Sequence, residues 1–424
     1  MQSPKQWPGL LVKISLAFFI IFFLNDFVFA QPVIKGKIIN AENHQAVSGA
    51  SVFISNTSKG TVSNSAGDFI LSEIPSGQHE LVVSSIGYET FVQTFSGDAL
   101  PLELNVVLKL KIKELEGVTV VPFEKDGWEK WGKVFLENFI GTTGNSDQCT
   151  IKNYKSIRFR FLKEQNKLVA LSAEPLVIIN KALGYRIQYQ LEEFQVDYQQ
   201  NSMVYLGYPL FEELGSKIRF RKNREKAFHG SVMNFIRSLC DNKLQEEGFD
   251  VVRLKKLPNT EKVRVKEIYK PVKKTKKNEK TGEMMTIIDY DYERLPKDSV
   301  SYYERVLRQK DYFDLFGDSL LTADSLVVAD TKGTKYLDFR DYIYVTYRKG
   351  KEELKYLQSI MESNRKPFYQ RSSAVLAAPV TIEPNGNYYS PQHLFTLGYW
   401  GWSEKIADML PFDYSLKSKD TSNH

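Results

Sequence analysis

Between Val33 and Leu110 apolar residues recur at alternate positions, and glycine, proline, asparagine or serine interrupts them every eight to twelve residues. That is the pattern of short, half-buried strands joined by tight turns. Ala50, Val52 and Ile54 alternate with Ser51, Phe53 and Ser55. Leu102, Leu104, Val106, Leu108 and Leu110 make one apolar face, with Glu103, Asn105 and Lys109 on the other. Asn64-Ser65-Ala66-Gly67 and Pro75-Ser76-Gly77 have turn composition, and Gly36, Gly49 and Gly87 are further candidate turn residues. The pattern predicts an all-β sandwich of about seven strands over residues 31–112.

Beyond residue 125 the period changes. Asp126 with Glu129 three residues on reads as a capping box opening a helix, with Trp128, Trp131, Phe135 and Phe139 on one face. Ile151–Phe161, Lys167–Ala173 and Tyr185–Val196 read as strands. Arg224–Glu247 reads as the longest helix, with Phe228, Val232, Phe235, Ile236 and Leu239 facing inward and Gly248 at its end. Lys262–Tyr269 and Met285–Tyr292 read as the arms of a hairpin carrying the basic run Lys273–Lys280. Residues 113–124 are then a linker, and 125–424 a larger α+β domain.

The first thirty residues have a different character. Lys5 and Lys13 precede or open the apolar run Ile14–Leu24, and Val28-Phe29-Ala30 fits a cleavage site. Residues 1–30 are read as a signal peptide, an uncleaved anchor being the alternative. No cysteine follows the site, which argues against a lipid anchor there. The expected compartment is the periplasm or the outer-membrane surface.

The sandwich pattern resembles the carboxypeptidase regulatory-like domain, a prealbumin-like or Ig-like sandwich that also begins many TonB-dependent receptors of Gram-negative outer membranes. The resemblance rests on Ile34-Lys35-Gly36, Val47-Ser48-Gly49-Ala50, Ala66-Gly67-Asp68-Phe69, Ile74-Pro75-Ser76-Gly77 and Ile86-Gly87-Tyr88. It departs at Ser63-Asn64, where the family usually has Thr-Asp. Leu115–Val121 resembles the segment leading into a receptor plug, although the remaining chain is too short for a receptor barrel. The resemblance implies a docking or spacer module without catalysis of its own. Trp128–Tyr414 resembles the region behind this sandwich in uncharacterised envelope proteins, and that resemblance implies no activity.

Composition narrows the chemistry. A net charge of +6 over 424 residues is mild, and with export it gives no case for nucleic acid. A zinc peptidase needs His-x-x-Glu, yet Val47, Val82, Val232 and Thr396 stand three residues after His44, His79, His229 and His393, and His424 ends the chain. HExxH, a Gly-x-Ser-x-Gly elbow and phosphate-binding glycine loops are missing too. No metal or cofactor is expected. Cys149 and Cys240, the two cysteines, either pair or stay as separate buried thiols; pairing would close a loop of about ninety residues, worth about 4–5 kcal/mol.

Three weaker signals remain. Arg219, Arg221, Lys222 and Arg224 crowd a predicted helix start, as an anion site or a solvated basic end. The Lys273–Lys280 run is a soluble loop or a contact for anionic headgroups. Tyr388, Tyr389, Tyr399, Trp400 and Trp402 gather near Gly398 and Gly401, either closing a core or stacking on a glycan or peptide. The chain reads as an exported, non-catalytic binding or assembly protein, its partner an envelope protein or outer-membrane component. The alternative is a hydrolase of glycan or peptide. That would need two carboxyl groups converging in a cleft with perturbed pKa, which pairs such as Glu192/Glu193 or Asp289/Asp291 do not establish from sequence.

Overall fold

The alternation over 33–110 becomes seven strands: β1 (Ile34–Asn40), β2 (Ser51–Ile54), β3 (Gly60–Val62), β4 (Asp68–Leu71), β5 (Gln78–Ser84), β6 (Phe91–Ser96) and β7 (Leu102–Leu108). They form two sheets in the orders β4-β1-β7 and β3-β2-β5-β6, with β1 and β7 parallel and the other pairs antiparallel. The computed structural model describes residues 32–111, 121–268, 271–277, 284–290 and 297–416. Ile34, Ile38, Val52, Ile54, Phe69, Leu71, Leu81, Val83, Val106 and Leu108 fill the space between the sheets. The signal peptide and most of the 113–124 linker, including Leu115–Val120, lie outside the described residues, as does His424.

Gly49, Gly67, Gly77 and Gly87 all have positive φ at turns. Gly67 (φ +79°) also lies so close to the Ile38 carbonyl that an added Cβ would stand 2.5 Å from it. Pro75 precedes β5, and its carbonyl lies 3.1 Å from the ring of buried His79. The departure at Ser63-Asn64 keeps the turn chemistry. Ser63 Oγ accepts from Ala50 N–H and donates to the Val47 carbonyl, while Asn64 Oδ1 accepts from Ala66 and Asp68 N–H. Gly36 is a correction: it lies inside β1, and it is glycine because a Cβ would strike the Leu104 carbonyl and the Phe69 ring.

The rest is α+β. Helix α1 (Gly127–Phe139) buries Phe135 and Phe139, but no capping box forms. Asp126 makes no side-chain cap, and its carbonyl accepts from Lys130 N–H instead. The helix packs on an antiparallel six-stranded sheet of β8 (Cys149–Ile151), β9 (Ile157–Leu162), β10 (Lys167–Ser172), β11 (Leu176–Asn180), β12 (Tyr185–Asp197) and β13 (Ser202–Glu213). The long helix expected over 224–247 is broken into α2 (Ile218–Phe228), α3 (Val232–Cys240) and α4 (Leu244–Glu247). Gly230 has φ +83°, and Ser231 caps α3 by accepting from Asn234 N–H. Gly248 ends α4 in the left-handed conformation.

A second sheet follows, built from β14 (Phe249–Pro258) and strands further along the chain. After β14 come α5 (Thr260–Ile268), a separate hairpin of β15 (Pro271–Lys277) and β16 (Met284–Tyr290), and α6 (Lys297–Leu307). Next are β17 (Tyr312–Leu320), β18 (Val327–Ala329), β19 (Lys335–Leu337), β20 (Tyr342–Lys351) and α7 (Leu354–Ser359). The last elements are β21 (Tyr369–Leu376), β22 (Val380–Ile382), β23 (Tyr388–Tyr389), β24 (Leu394–Gly398) and α8 (Tyr399–Ser403). The five-stranded order is β17-β14-β20-β21-β24, beside a small sheet β18-β19-β22-β23.

Lys262–Tyr269 is thus not a hairpin arm. Asn259 Oδ1 accepts from Lys262 N–H and opens α5 over most of it, with Val265 buried beneath. The lysines expected at a hairpin tip lie partly in β15, and Asn278–Lys280 fall outside the described residues. No helix among the described residues is long and apolar enough to cross a membrane. The described residues fall into two units, one within Met1–Ile54 and Lys59–Ile112, the other within Ser55–Ser58 and Lys113–His424.

Candidate functional site

After α8 the chain turns back through Glu404–Leu410 and lies against α1 and the first sheet. Ile406 N–H donates to the Phe139 carbonyl, Ala407 N–H to that of Ile140, and Asn180 Nδ2 to that of Ala407. Ile406 and Ala407 are fully buried, so this return fixes Glu404, Lys405 and Asp408 at the edge of the apolar core. Glu404 and Asp408 line a polar cleft with Thr143, Asn145, Lys226, His229, Glu353, Tyr399 and Trp402.

Each carboxyl has partners. Asp408 accepts from Thr143 Oγ1 at 2.6 Å and Asn145 Nδ2 at 2.7 Å. Glu404 Oε1 accepts from Val232 N–H at 3.1 Å, at the start of α3. Glu353 is paired to Lys226 at 2.6 Å. Loss of water pushes the Glu404 carboxyl up to about 7, against the bond from Val232 and with the help of Asp408. It pushes Asp408 up to about 6, the bonds from Thr143 and Asn145 opposing it. The same desolvation takes Lys405 down to about 8, and its ammonium lies 5.7 Å from the Tyr205 ring centre. His229 Nδ1 is buried in the cleft wall without a hydrogen-bond partner.

The cleft volume is about 40 Å³, and one ordered water needs about 10–15 Å³. That is room for a few water molecules and not for a sugar ring. The cleft holds two carboxyls whose neutral forms are more favoured than in water, tied to main chain and neighbouring side chains. Among the described residues no group of three or more His, Cys, Asp or Glu side chains is arranged to hold a metal ion.

The residues singled out in the sequence are distributed differently from the expectation. Tyr399 and Trp402 reach the cleft, and their rings pack with each other and with Tyr356 at 5.2–5.5 Å. Trp402 Nε1 donates to Thr142 Oγ1. Trp400 points the other way, into the core of the second sheet. It is 3% exposed, and its Nε1 donates to the Gly230 carbonyl at 2.7 Å. Tyr388 packs against that core and Tyr389 pairs with Thr381, so the five aromatics do not form one stacking platform.

Arg224 is a further correction. It is 8% exposed, bound to Glu213 and to the Leu183 and Gly184 carbonyls, and its guanidinium lies 3.8 Å from the Tyr185 ring centre. It turns inward, away from the exposed Arg219, Arg221 and Lys222, so the four do not make a common anion site. Cys149 and Cys240 are free thiols. Cys149 belongs to the core of the first sheet and Cys240 packs on that of the second, so the pairing alternative is not realised.

Glu353, Glu404, Asp408 and Tyr356 had not been singled out from sequence. Glu404 and Asp408 stand four residues apart in no recognised motif, and their partners come from distant segments.

Residues 34–120 match the family model described as CarboxypepD_reg-like domain. No curated protein matches the chain significantly. Two interface mutants of a type II cohesin–X-dockerin complex from Acetivibrio cellulolyticus are similar to 18% of this chain. Their identities are 16% and 20% and their TM-scores 0.15 and 0.16, and the match spans 56% and 57% of those chains, little more than half. A putative membrane-associated protein of unknown function from Bacteroides fragilis is similar at 9% identity and TM-score 0.15, over 87% of this chain and 94% of that one.

Proposed function

We propose that this chain, whose N-terminal unit is a carboxypeptidase regulatory-like β-sandwich, is an exported binding or assembly protein of the cell envelope. The sandwich is its docking module, and the α+β unit supplies a second, specific surface. The observation that carries the reading is on the edges of the sandwich. Of the four edge strands, β3, β4 and β7 each expose an aliphatic side chain: Val62 and Ile70 at 60%, Val107 at 46%. An edge strand offers unpaired main-chain groups to an incoming strand, and an apolar side chain beside them adds contact area. The leader over residues 1–30 supports export, with the periplasm or outer-membrane surface as destination.

The test is photocrosslinking in intact cells, with the full-length chain carrying a crosslinker at Val62, Ile70 or Val107. One abundant envelope protein should be captured from all three positions, and not from Lys133, a highly exposed control in α1. Capture that is equal at Lys133, or absent from the sandwich positions, overturns the docking role.

The cleft keeps a second reading alive, a hydrolase of glycan or peptide using Glu404 and Asp408, because both carboxyls are shifted as a general acid requires. Its size and the hydrogen bonds already made by both groups favour the binding reading. Glycan or peptide hydrolysis by the purified chain that is abolished in Glu404→Gln would reverse that preference.

A further inference from the structure

β17 is an edge strand of the five-stranded sheet, and all of its nine residues are exposed. Tyr312, Phe313, Leu315, Phe316 and Leu320 are between 46% and 54% exposed. Over Tyr312–Phe316 the strand pairs in regular antiparallel register with Leu254–Pro258 of β14, and the register shifts only beyond that. Its outer edge has no strand partner among the described residues. Over Tyr312–Phe316 the edge is regular, largely apolar and without lysine or proline, and such an edge is a template for another strand.

The register continues an apolar row across the sheet, exposed at its two ends and buried at Leu254. Phe316 lies beside Leu254, then Tyr342, Val375 and Phe395, in one cross-strand row that ends at the opposite edge. Phe316 and the Tyr344 ring meet edge-on at 5.0 Å, which holds Phe316 on this face. Two carboxylates stand two residues either side of Phe316: Asp314, directly across from Lys256 of β14, and Asp318, within the stretch where the register shifts; neither forms an ion pair among the described residues. Asp311, just before the strand, is by contrast held by Lys262 and Lys266.

We infer that the free edge of β17 receives an extended segment of a partner protein, added as a sixth strand, in which cationic side chains flank an apolar one. Unpaired main-chain groups along an edge are matched by another main chain, which supplies the affinity, and side chains supply the selectivity. The apolar residue of the incoming strand lies against Phe316, and its cations meet Asp314 and Asp318. A second copy fits this edge poorly: pairing two β17 strands would gather four carboxylates, Asp314 and Asp318 of each, along one seam. Anionic lipid is repelled by the same carboxylates. The inference deepens the binding reading by giving the α+β unit a partner chemistry. Sandwich crosslinking probes another unit, so the two experiments fail separately.

The experiment uses the full-length chain and three synthetic peptides: one alternating lysine and valine, one alternating glutamate and valine, and the lysine peptide with alternate amides N-methylated. Fluorescence anisotropy should show saturable binding of the lysine peptide, with affinity at least tenfold above the other two. The double variant Asp314→Lys/Asp318→Lys should reverse the charge preference. Both positions are exposed, and an unchanged circular dichroism spectrum and melting temperature would show that the variant folds. Phe316→Asp should weaken the lysine peptide at least tenfold. The inference is overturned by equal binding of the lysine and glutamate peptides, by full binding of the N-methylated peptide, or by no binding at all. A dimer of the wild-type chain that Phe316→Asp dissolves would assign the edge to a second copy. Binding to phosphatidylglycerol vesicles that is lost in Phe316→Asp would assign it to a membrane.

Discussion

Glu404 combines a carboxyl, scarce water and a single main-chain donor, the Val232 N–H. Its ordinary value of 4.5 rises to about 7, so the folded chain keeps a proton there that the unfolded chain has already lost. Between those two values the folded state binds more protons, and stability therefore falls as pH rises through the window and is level above it. Asp408 adds a decline between 3.8 and about 6. In Glu404→Gln the amide oxygen still accepts from Val232, and the loss near pH 7 should vanish. Urea unfolding at pH 5 and pH 8 should show a wild-type drop larger than the variant's by up to about 3 kcal/mol. Equal drops would show that Glu404 is solvated. Arg224 poses the opposite case, a cation satisfied by Glu213 and two carbonyls. Arg224→Met strands those carbonyls and should cost about 3 kcal/mol in the same assay. A run of four cations in sequence cannot show which one turns inward; that is decided by the carbonyls that the Leu183–Gly184 turn presents.

At the scale of elements, strands of the sandwich were legible because each has one buried and one wet face, which writes a period of two into the chain. The α2–α3 break was not, because Phe228, Val232, Phe235 and Ile236 keep helical spacing straight through it. Only Gly230-Ser231 marks the change, and a glycine within such a pattern is ambiguous until its φ is known. The structure makes that glycine obligatory. A Cβ there would lie 2.5 Å from Gln370 Oε1 and 2.6 Å from the Tyr347 ring, at a φ that strains any side chain. Gly230→Ala should lower stability by about 2–3 kcal/mol, visible as a drop in the melting midpoint. An unchanged midpoint would mean that α2 and α3 can rejoin as the one helix their spacing suggests. The helix over Thr260–Ile268 was missed for a related reason: Val263 and Val265 alternate as in a strand, and the cap that decides otherwise is the single residue Asn259.

For the whole molecule, the cleft was out of reach of sequence reading because Thr143, Lys226, Glu353 and Asp408 come from four separate segments, and the path of Glu404–Leu410 carries Asp408 to the other three. The export expectation and the state of the cysteines, however, constrain each other. A chain delivered to an oxidising compartment keeps two thiols only if they do not meet. Burial supplies that separation: Cys149 is held in the core of the first sheet and its thiol is pushed up to about 12, while Cys240 lies against the core of the second and is pushed up to about 11. Thiolate, the reactive form, is therefore rare at both positions near neutral pH. Protein purified from the envelope without reductant should begin at Gln31 and, once denatured, take up two alkyl groups by mass spectrometry. In the native state alkylation of Cys149 should be the slower of the two, since it has both the higher value and the deeper position. A mature protein that takes up no alkyl group when denatured would show that the two sheets' cores come apart long enough for the thiols to pair.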